Sequence, residues 1–126
     1  MGEIIRLGSS RRWSDVVVHG GVASWVEVAE DPSLDARGQV GQVLSQIDAT
    51  LAQIGSDRTR LLQVLVYLAP EVEQAALDGP WDAWVPAGHA PIRATVRVGL
   101  AAGCLVEMVV TAASSLVDPG GRDRLT

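Results

Sequence analysis

The sequence predicts an α+β domain with a six-stranded mixed sheet and two main helices on one face. Short runs rich in β-branched residues recur along the chain and are bounded by turn residues, which is typical of strands. One longer segment repeats apolar residues with the period of an amphipathic helix. The strands carry apolar residues on both sides although helices are few. We therefore expect the uncovered face of the sheet to pack against another copy of the chain.

The length of the chain and its cysteine content limit the classes of protein to which it can belong. The 126 residues suit one domain, which we place at residues 1–113, followed by a polar tail at 114–126 that we expect to be flexible. The single Cys104 excludes an internal disulfide and gives no metal-ligand spacing. No apolar run reaches membrane-spanning length, and the N-terminus lacks the order of a secretory signal. We expect a cytoplasmic protein.

The charge balance favours a small-molecule partner. Ten basic and fifteen acidic residues give a net charge of −5, and the basic residues form no cluster larger than Arg11-Arg12. Nucleic acids and anionic membranes are bound through several cationic contacts. The sequence therefore predicts neither as a partner.

The first half of the chain contains a hairpin and a helix. Asp15 to His19 and Val22 to Val28 read as two strands joined by Gly20-Gly21, a pair that supplies the positive φ angles of a tight turn. A shorter strand over Glu3 to Gly8 precedes them. Apolar positions from Gly38 to Ile54 predict an amphipathic helix that ends at Gly55. The polar residues Gln39, Gln42, Gln46 and Asp48 are expected to face water.

The second half predicts a buried strand, two short helices and a second hairpin. Leu61 to Leu68 is almost wholly apolar, as in a central strand. Gly79-Pro80 is expected to divide the following helical stretch, with Asp78 capping the second piece. Two strands within residues 90–113, separated by a short turn at 101–104, read as an antiparallel hairpin.

Two charged residues in these last strands are the candidates for chemistry. Arg93 follows a proline at the start of one strand, and Glu107 interrupts an otherwise apolar one, where an unpaired buried carboxylate would cost several kcal/mol. In the predicted hairpin they lie on the order of 15 Å apart along the strands. An active pair would therefore need two subunits. The alternative is an interface salt bridge without chemistry.

Several segments occur in a distinctive order and spacing. They are Gln39-Val40-x-Gln42-Val43-Leu44-x-Gln46-Ile47, Leu51-x-x-Ile54-Gly55-Ser56-Asp57, Val66-Tyr67-Leu68, Trp81-Asp82-Ala83-Trp84-Val85-Pro86-x-Gly88-x-Ala90-Pro91-x-Arg93-Ala94-Thr95-Val96 and Leu105-Val106-Glu107-Met108. Together they resemble the Rid family of reactive-intermediate deaminases, also called the YjgF family. The resemblance covers roughly Ile4 to Ala113.

The resemblance implies a chorismate-mutase-like fold and a homotrimer with clefts between its subunits. It also implies hydrolysis of enamines or imines, such as 2-aminoacrylate or 2-iminopropanoate, to a 2-keto acid and ammonia, without a metal or organic cofactor. Arg93 matches the family arginine that grips the substrate carboxylate. Glu107 matches the glutamate that positions water. A guanidinium fork suits bidentate carboxylate binding, and a carboxylate suits activation of water.

Other positions bear on the substrate. Trp25-Val26-Glu27 stands where the family usually has Ser-Gly-Gln, so Trp25 and Val26 are candidates to line and narrow the cleft, although Trp25 could equally be packing. Thr95 fits the family position after Arg93-Ala94, and Trp13 stands near a common pocket tyrosine. Two alternatives remain open: a catalytically silent trimer that binds a ligand or protein, and an enzyme for another carbonyl or imine substrate.

Overall fold

The computed structural model describes residues 2–116, in which six strands form one mixed sheet. The elements are β1 (Ile5–Leu7), β2 (Val16–His19), β3 (Val22–Val28), α1 (Ala36–Gln53), a short 3₁₀ helix (Arg58–Arg60), β4 (Leu61–Leu68), α2 (Gln74–Trp84), β5 (Ile92–Arg97) and β6 (Val106–Ala113). Residues from one face of the sheet form a single core with residues from α1 and α2. The predicted α+β class is confirmed.

The strand order is β1-β2-β3-β6-β4-β5. All neighbouring pairs are antiparallel except β4 and β5, which are parallel. The predicted hairpin of β2 and β3 is confirmed, and its turn glycines have the expected positive φ of 61° and 78°. β4 has the predicted bounds and lies inside the sheet, between β6 and β5.

The predicted hairpin of β5 and β6 is wrong. β6 inserts between β3 and β4, and β5 pairs with β4 alone at the edge of the sheet. Burial explains the difference, because alternate residues of β6 from Val106 to Ala112 are buried while β5 has no buried residue. A strand with two arginines that follows a proline suits an edge, where its outer backbone groups need no partner strand.

Helix α1 is confirmed, but Gln39, Gln42 and Gln46 do not face water as predicted. Gln42 and Gln46 are half-buried and form hydrogen bonds with the end of β3 and the segment that follows it. Asp35 caps the helix by accepting a hydrogen bond from the Gly38 amide at 2.8 Å, and Gly55 follows its end with a φ of 67°. Gln39 is fully buried. Its amide nitrogen donates to the carbonyls of Pro32, Leu34 and Gly103, and its oxygen accepts from the Leu105 amide. A side-chain amide satisfies buried loop backbone because it both donates and accepts.

Helix α2 is continuous through Pro80, so the predicted division into two helices is wrong, and Asp78 lies inside the helix instead of capping one. Proline in a helix costs about 3 kcal/mol. Trp81 and Trp84 are both buried by this helix. At 150–250 Å² each, their burial contributes about 4–6 kcal/mol per ring and outweighs the proline.

The chain remains attached to the domain three residues beyond the predicted boundary at 113. The Ser114 amide donates to the Gly21 carbonyl at 2.8 Å, and the Ser114 hydroxyl donates to the Ile54 carbonyl at 2.9 Å. Arg60 binds the Ser115 hydroxyl at 2.9 Å. The rest of the predicted tail, residues 117–126, lies outside the described residues.

The face of the sheet opposite the helices, here called the open face, presents apolar side chains to solvent. Val22, Val26, Val28, Ile92 and Val96 are between 40% and 69% exposed. Exposed apolar side chains on these two strands, β3 and β5, are typical of a surface that contacts another protein. The homotrimer stays a prediction.

The buried Gln39 gives a prediction about stability. Gln39→Ala leaves the backbone groups it satisfies without a protein partner, so we expect the free energy of unfolding to fall by about 2–4 kcal/mol. Urea denaturation measures this loss. Gln53→Ala, at the exposed end of the same helix, is the control and should change stability little. Equal losses in the two variants would contradict the role assigned to Gln39.

Candidate active site

Arg93 lies on the edge strand β5 and points toward helix α2. Its cross-strand partner is Val64, whose side chain is fully buried on the helix side of the sheet. Arg93 Nη2 donates to Asp78 Oδ1 at 2.9 Å, and its guanidinium carbon lies 5.3 Å from the centre of the Trp81 ring. The Arg93 side chain is still 24% exposed. α2 therefore holds the guanidinium on two sides and leaves part of it accessible.

The contact with Asp78 belongs to a row of four polar side chains. Gln74 Nε2 donates to the same Asp78 oxygen at 3.2 Å, and Gln74 Oε1 accepts from Arg97 Nη2 at 3.0 Å. Arg97 also donates to the Val72 carbonyl. Thr95, a predicted site residue, is half-buried and shares the face of β5 that carries Arg93.

Glu107 lies near the start of β6 on the open face. It is half-buried, and its cross-strand neighbours are Val28 on β3 and Tyr67 on β4. Its carboxylate has no hydrogen-bond partner among residues 2–116 of this chain. The carboxylate is thus available to a water molecule or to a group from another molecule.

Arg93 and Glu107 are on opposite faces of the sheet. Val64 pairs with Arg93 on one side and with Val110 on the other, which places Arg93 and Val110 on the same face. Glu107 is an odd number of residues from Val110, so its side chain points the other way. The two side chains do not meet within one chain, but the reason is this alternation and not the hairpin register predicted from the sequence.

Trp25 and Glu27 point into the helix side of the sheet. Trp25 is 4% exposed and packs in the core, which is the packing alternative that the sequence left open. Its indole nitrogen donates to Glu27 Oε2 at 3.1 Å, and the same carboxylate accepts from Thr50 and Gln46. Among Trp25, Val26 and Glu27, only Val26 reaches the open face, where it is 53% exposed.

Trp13 lies in the loop between β1 and β2, at the edge of the sheet opposite β5. The side chain is 66% exposed. Ser10 holds the loop through hydrogen bonds with the Trp13 amide and carbonyl. Trp13 therefore cannot contact a ligand at Arg93 of its own chain.

Sequence reasoning missed Asp78 and Trp81 as partners of Arg93. Asp78 and Trp81 are three positions apart on α2, which puts them on adjoining parts of one helix face. This spacing places both residues on one face only if the helix continues through Pro80. Because a break was predicted there, the shared face was not recognised.

Comparison with known proteins identifies the family. The family model described as Endoribonuclease L-PSP matches residues 6–114. The chain belongs to this family, also called the YjgF or Rid family. The RutC family protein YoaB of Escherichia coli is 43% identical over 97 residues, which span 77% of this chain and 85% of YoaB. A RutC family protein of Haemophilus ducreyi is 39% identical over 112 residues, or 87% and 96% of the two chains.

Solved structures of similar proteins have the same fold. A protein from Pseudomonas aeruginosa superposes with a TM-score of 0.85 at 38% identity and covers 89% of this chain and 99% of its own. A YjgF-family protein from Neisseria meningitidis has a TM-score of 0.84 at 36% identity, with 91% and 98% coverage. The predicted YjgF fold is therefore confirmed.

Two classes of feature are not found among residues 2–116. No group of three or more His, Cys, Asp or Glu side chains in this range is arranged to hold a metal ion. No helix in it is long and apolar enough to cross a bilayer.

Cys104 reports on the charge of Glu107. Burial raises the pKa of the Cys104 thiol, and the negative charge of Glu107 raises this pKa further. We expect Glu107→Gln to lower the Cys104 pKa, while burial keeps it above its usual value. Thiolate absorbance followed against pH measures the change.

The exposed Glu30, replaced by Gln, serves as the control for this titration. It should leave the Cys104 pKa unchanged, because Glu30 is not among the groups that raise it. A Cys104 pKa that is the same in wild type and Glu107→Gln would show that the two groups lie further apart than described.

Proposed function

We propose that this YjgF-family protein hydrolyses reactive imines and enamines of the 2-iminopropanoate class to a 2-keto acid and ammonia. The observation that carries the proposal is the accessible guanidinium of Arg93, held by Asp78 and by the ring of Trp81. An arginine supported in this way is oriented before the substrate arrives. Less binding energy is then lost to ordering the side chain.

Arg93 binds the substrate carboxylate. A guanidinium has five N–H donors in a planar fork that matches the two oxygens of a carboxylate. Asp78 uses one hydrogen bond from Nη2. The remaining N–H groups have no hydrogen-bond partner among the described residues and are free to form a bidentate pair, which places the imine carbon relative to the protein.

Glu107 activates the attacking water. The carboxylate accepts a proton from water as the oxygen bonds to the imine carbon, and it passes this proton to the nitrogen to give a carbinolamine. It then takes the remaining hydroxyl proton and passes it to the nitrogen as the carbonyl forms and the carbon–nitrogen bond breaks. Ammonia and a 2-keto acid leave. Positioned acid–base groups of this kind contribute about 10²- to 10⁴-fold to the rate. The chemistry needs no metal or organic cofactor.

The site is formed between copies of the chain in a homotrimer. Arg93 and Glu107 occupy opposite faces of one sheet, so one substrate reaches both only if they come from two chains. The apolar open face around Val26 and Val28 supports such contacts. The small carboxylate-bearing imine or 2-keto acid is the partner, and cytoplasm is the compartment in which we place the reaction.

The alternative of a catalytically silent, ligand-binding trimer has less support. It depended on a cleft reshaped by Trp25, Val26 and Glu27. Trp25 is in the core, and Glu27 is occupied by three donors on the helix side. A ribonuclease activity is disfavoured by the net charge of −5.

The test is release of 2-keto acid from freshly generated 2-iminopropanoate. Arg93→Lys keeps the charge but loses the fork, so we expect a higher KM and a kcat/KM about 10²-fold lower. Glu107→Gln removes the base and should lower kcat by about 10²- to 10⁴-fold.

Matched variants separate these effects from damage to the fold. Arg6→Lys at an exposed position of β1, the edge strand opposite β5, and Glu30→Gln in an exposed loop carry the same substitutions away from Arg93 and Glu107 and should retain wild-type rates. A wild-type protein that does not accelerate hydrolysis would contradict the proposed function. So would Arg93 and Glu107 variants that keep full activity.

A further inference from the structure

The row of polar side chains between β5 and α2 bears on which substrates Arg93 accepts. The Asp78 carboxylate contacts the Arg93 guanidinium directly and lies next to the place where a ligand carboxylate would bind. Asp78 Oδ1 accepts from Arg93 at 2.9 Å and from Gln74 at 3.2 Å, which fixes its position. Its side chain is 40% exposed, and its second oxygen accepts no hydrogen bond from the described residues.

The charges near Arg93 match a ligand with one carboxylate. Asp78 offsets much of the positive charge of Arg93, because the two side chains form an ion pair at 2.9 Å. A ligand with one carboxylate accepts hydrogen bonds from the guanidinium N–H groups of Arg93 that Asp78 does not use. A second carboxylate on the same ligand would approach the free oxygen of Asp78 and be repelled, since like charges placed together lower affinity strongly.

Arg97, the other cation in the hydrogen-bonded row, does not relieve this repulsion. Arg97 donates to the Val72 carbonyl and to Gln74 Oε1. Gln74 and Asp78 lie between Arg97 and Arg93 in the hydrogen-bonded row. A second carboxylate held close to Arg93 would therefore meet Asp78 before it met Arg97.

We propose that Asp78, held by Gln74, positions Arg93 and restricts the site to monocarboxylates, so that imino acids with uncharged side chains are accepted and those with a second carboxylate are rejected. This inference rests on the proposed function. Asp78 acts through Arg93 and through its own charge, and takes no part in the bond-breaking step.

The test compares two imines in wild type and in Asp78→Asn. The substrates are 2-iminopropanoate, with one carboxylate, and 2-iminoglutarate, with two. We expect wild type to have a kcat/KM at least about tenfold higher for the first. Asp78→Asn keeps an oxygen that accepts from Arg93 and Gln74 but removes the charge, so the preference should shrink by about threefold or more.

Asp82→Asn is the matched control. Asp82 lies one turn further along the same helix and is exposed, so its replacement changes the net charge equally without touching Arg93. The preference should stay within twofold of wild type in this variant. An unchanged preference in Asp78→Asn, or a wild type that prefers the dicarboxylate, would overturn the inference while leaving the deaminase activity in place.

Equilibrium binding gives a readout that does not depend on catalysis. Calorimetric titration with pyruvate and with 2-oxoglutarate should give the same order of preference, again reduced in Asp78→Asn. Selective binding without hydrolysis would overturn the proposed function and retain the role of Asp78. Binding of neither anion would overturn the role of Asp78 as well.

Discussion

The two faces of the sheet are used differently, and the site depends on that division. The helices cover one face, so the alternating residues of β3, β4 and β6 that point toward them form a continuous apolar core. The residues between them point to the open face. Because side chains alternate along each regular stretch of a strand, the position of a residue there decides which face its side chain occupies. Arg93 and Glu107 fall on different faces for this reason, and a site that uses both must be shared between chains.

Local patterns in the sequence correctly predict the elements whose contacts are close along the chain. The Gly20-Gly21 hairpin and the period of α1 each specify their own geometry. The position of β6 between β3 and β4 depends on pairing with strands about 45 and 85 residues earlier, which no local pattern encodes. The same limit applies to Pro80, which breaks an isolated helix, whereas here the buried Trp81 and Trp84 keep α2 continuous.

The candidate residues were found for their residue types, but their surroundings depend on tertiary contacts. Arg93 and Glu107 stand out because charge is unusual in strands. The link from Arg93 through Asp78 and Gln74 to Arg97 joins β5 to α2 and becomes visible only in the fold. Trp25 illustrates the opposite case, because a large aromatic residue that was a candidate to line the cleft packs in the core. Trp25 pairs with the fully buried Val110, and this register places its side chain on the helix side of the sheet.

Mixing two inactive variants tests the shared site most directly. Arg93→Ala and Glu107→Ala chains, differently tagged and co-assembled in equal amounts, form some interfaces in which an intact Arg93 faces an intact Glu107. If each site draws on two chains, each trimer that carries both tags has one intact site of three, so about a third of wild-type imine hydrolysis should return in the doubly tagged assemblies. Doubly tagged assemblies that stay as inactive as either variant alone would contradict the account.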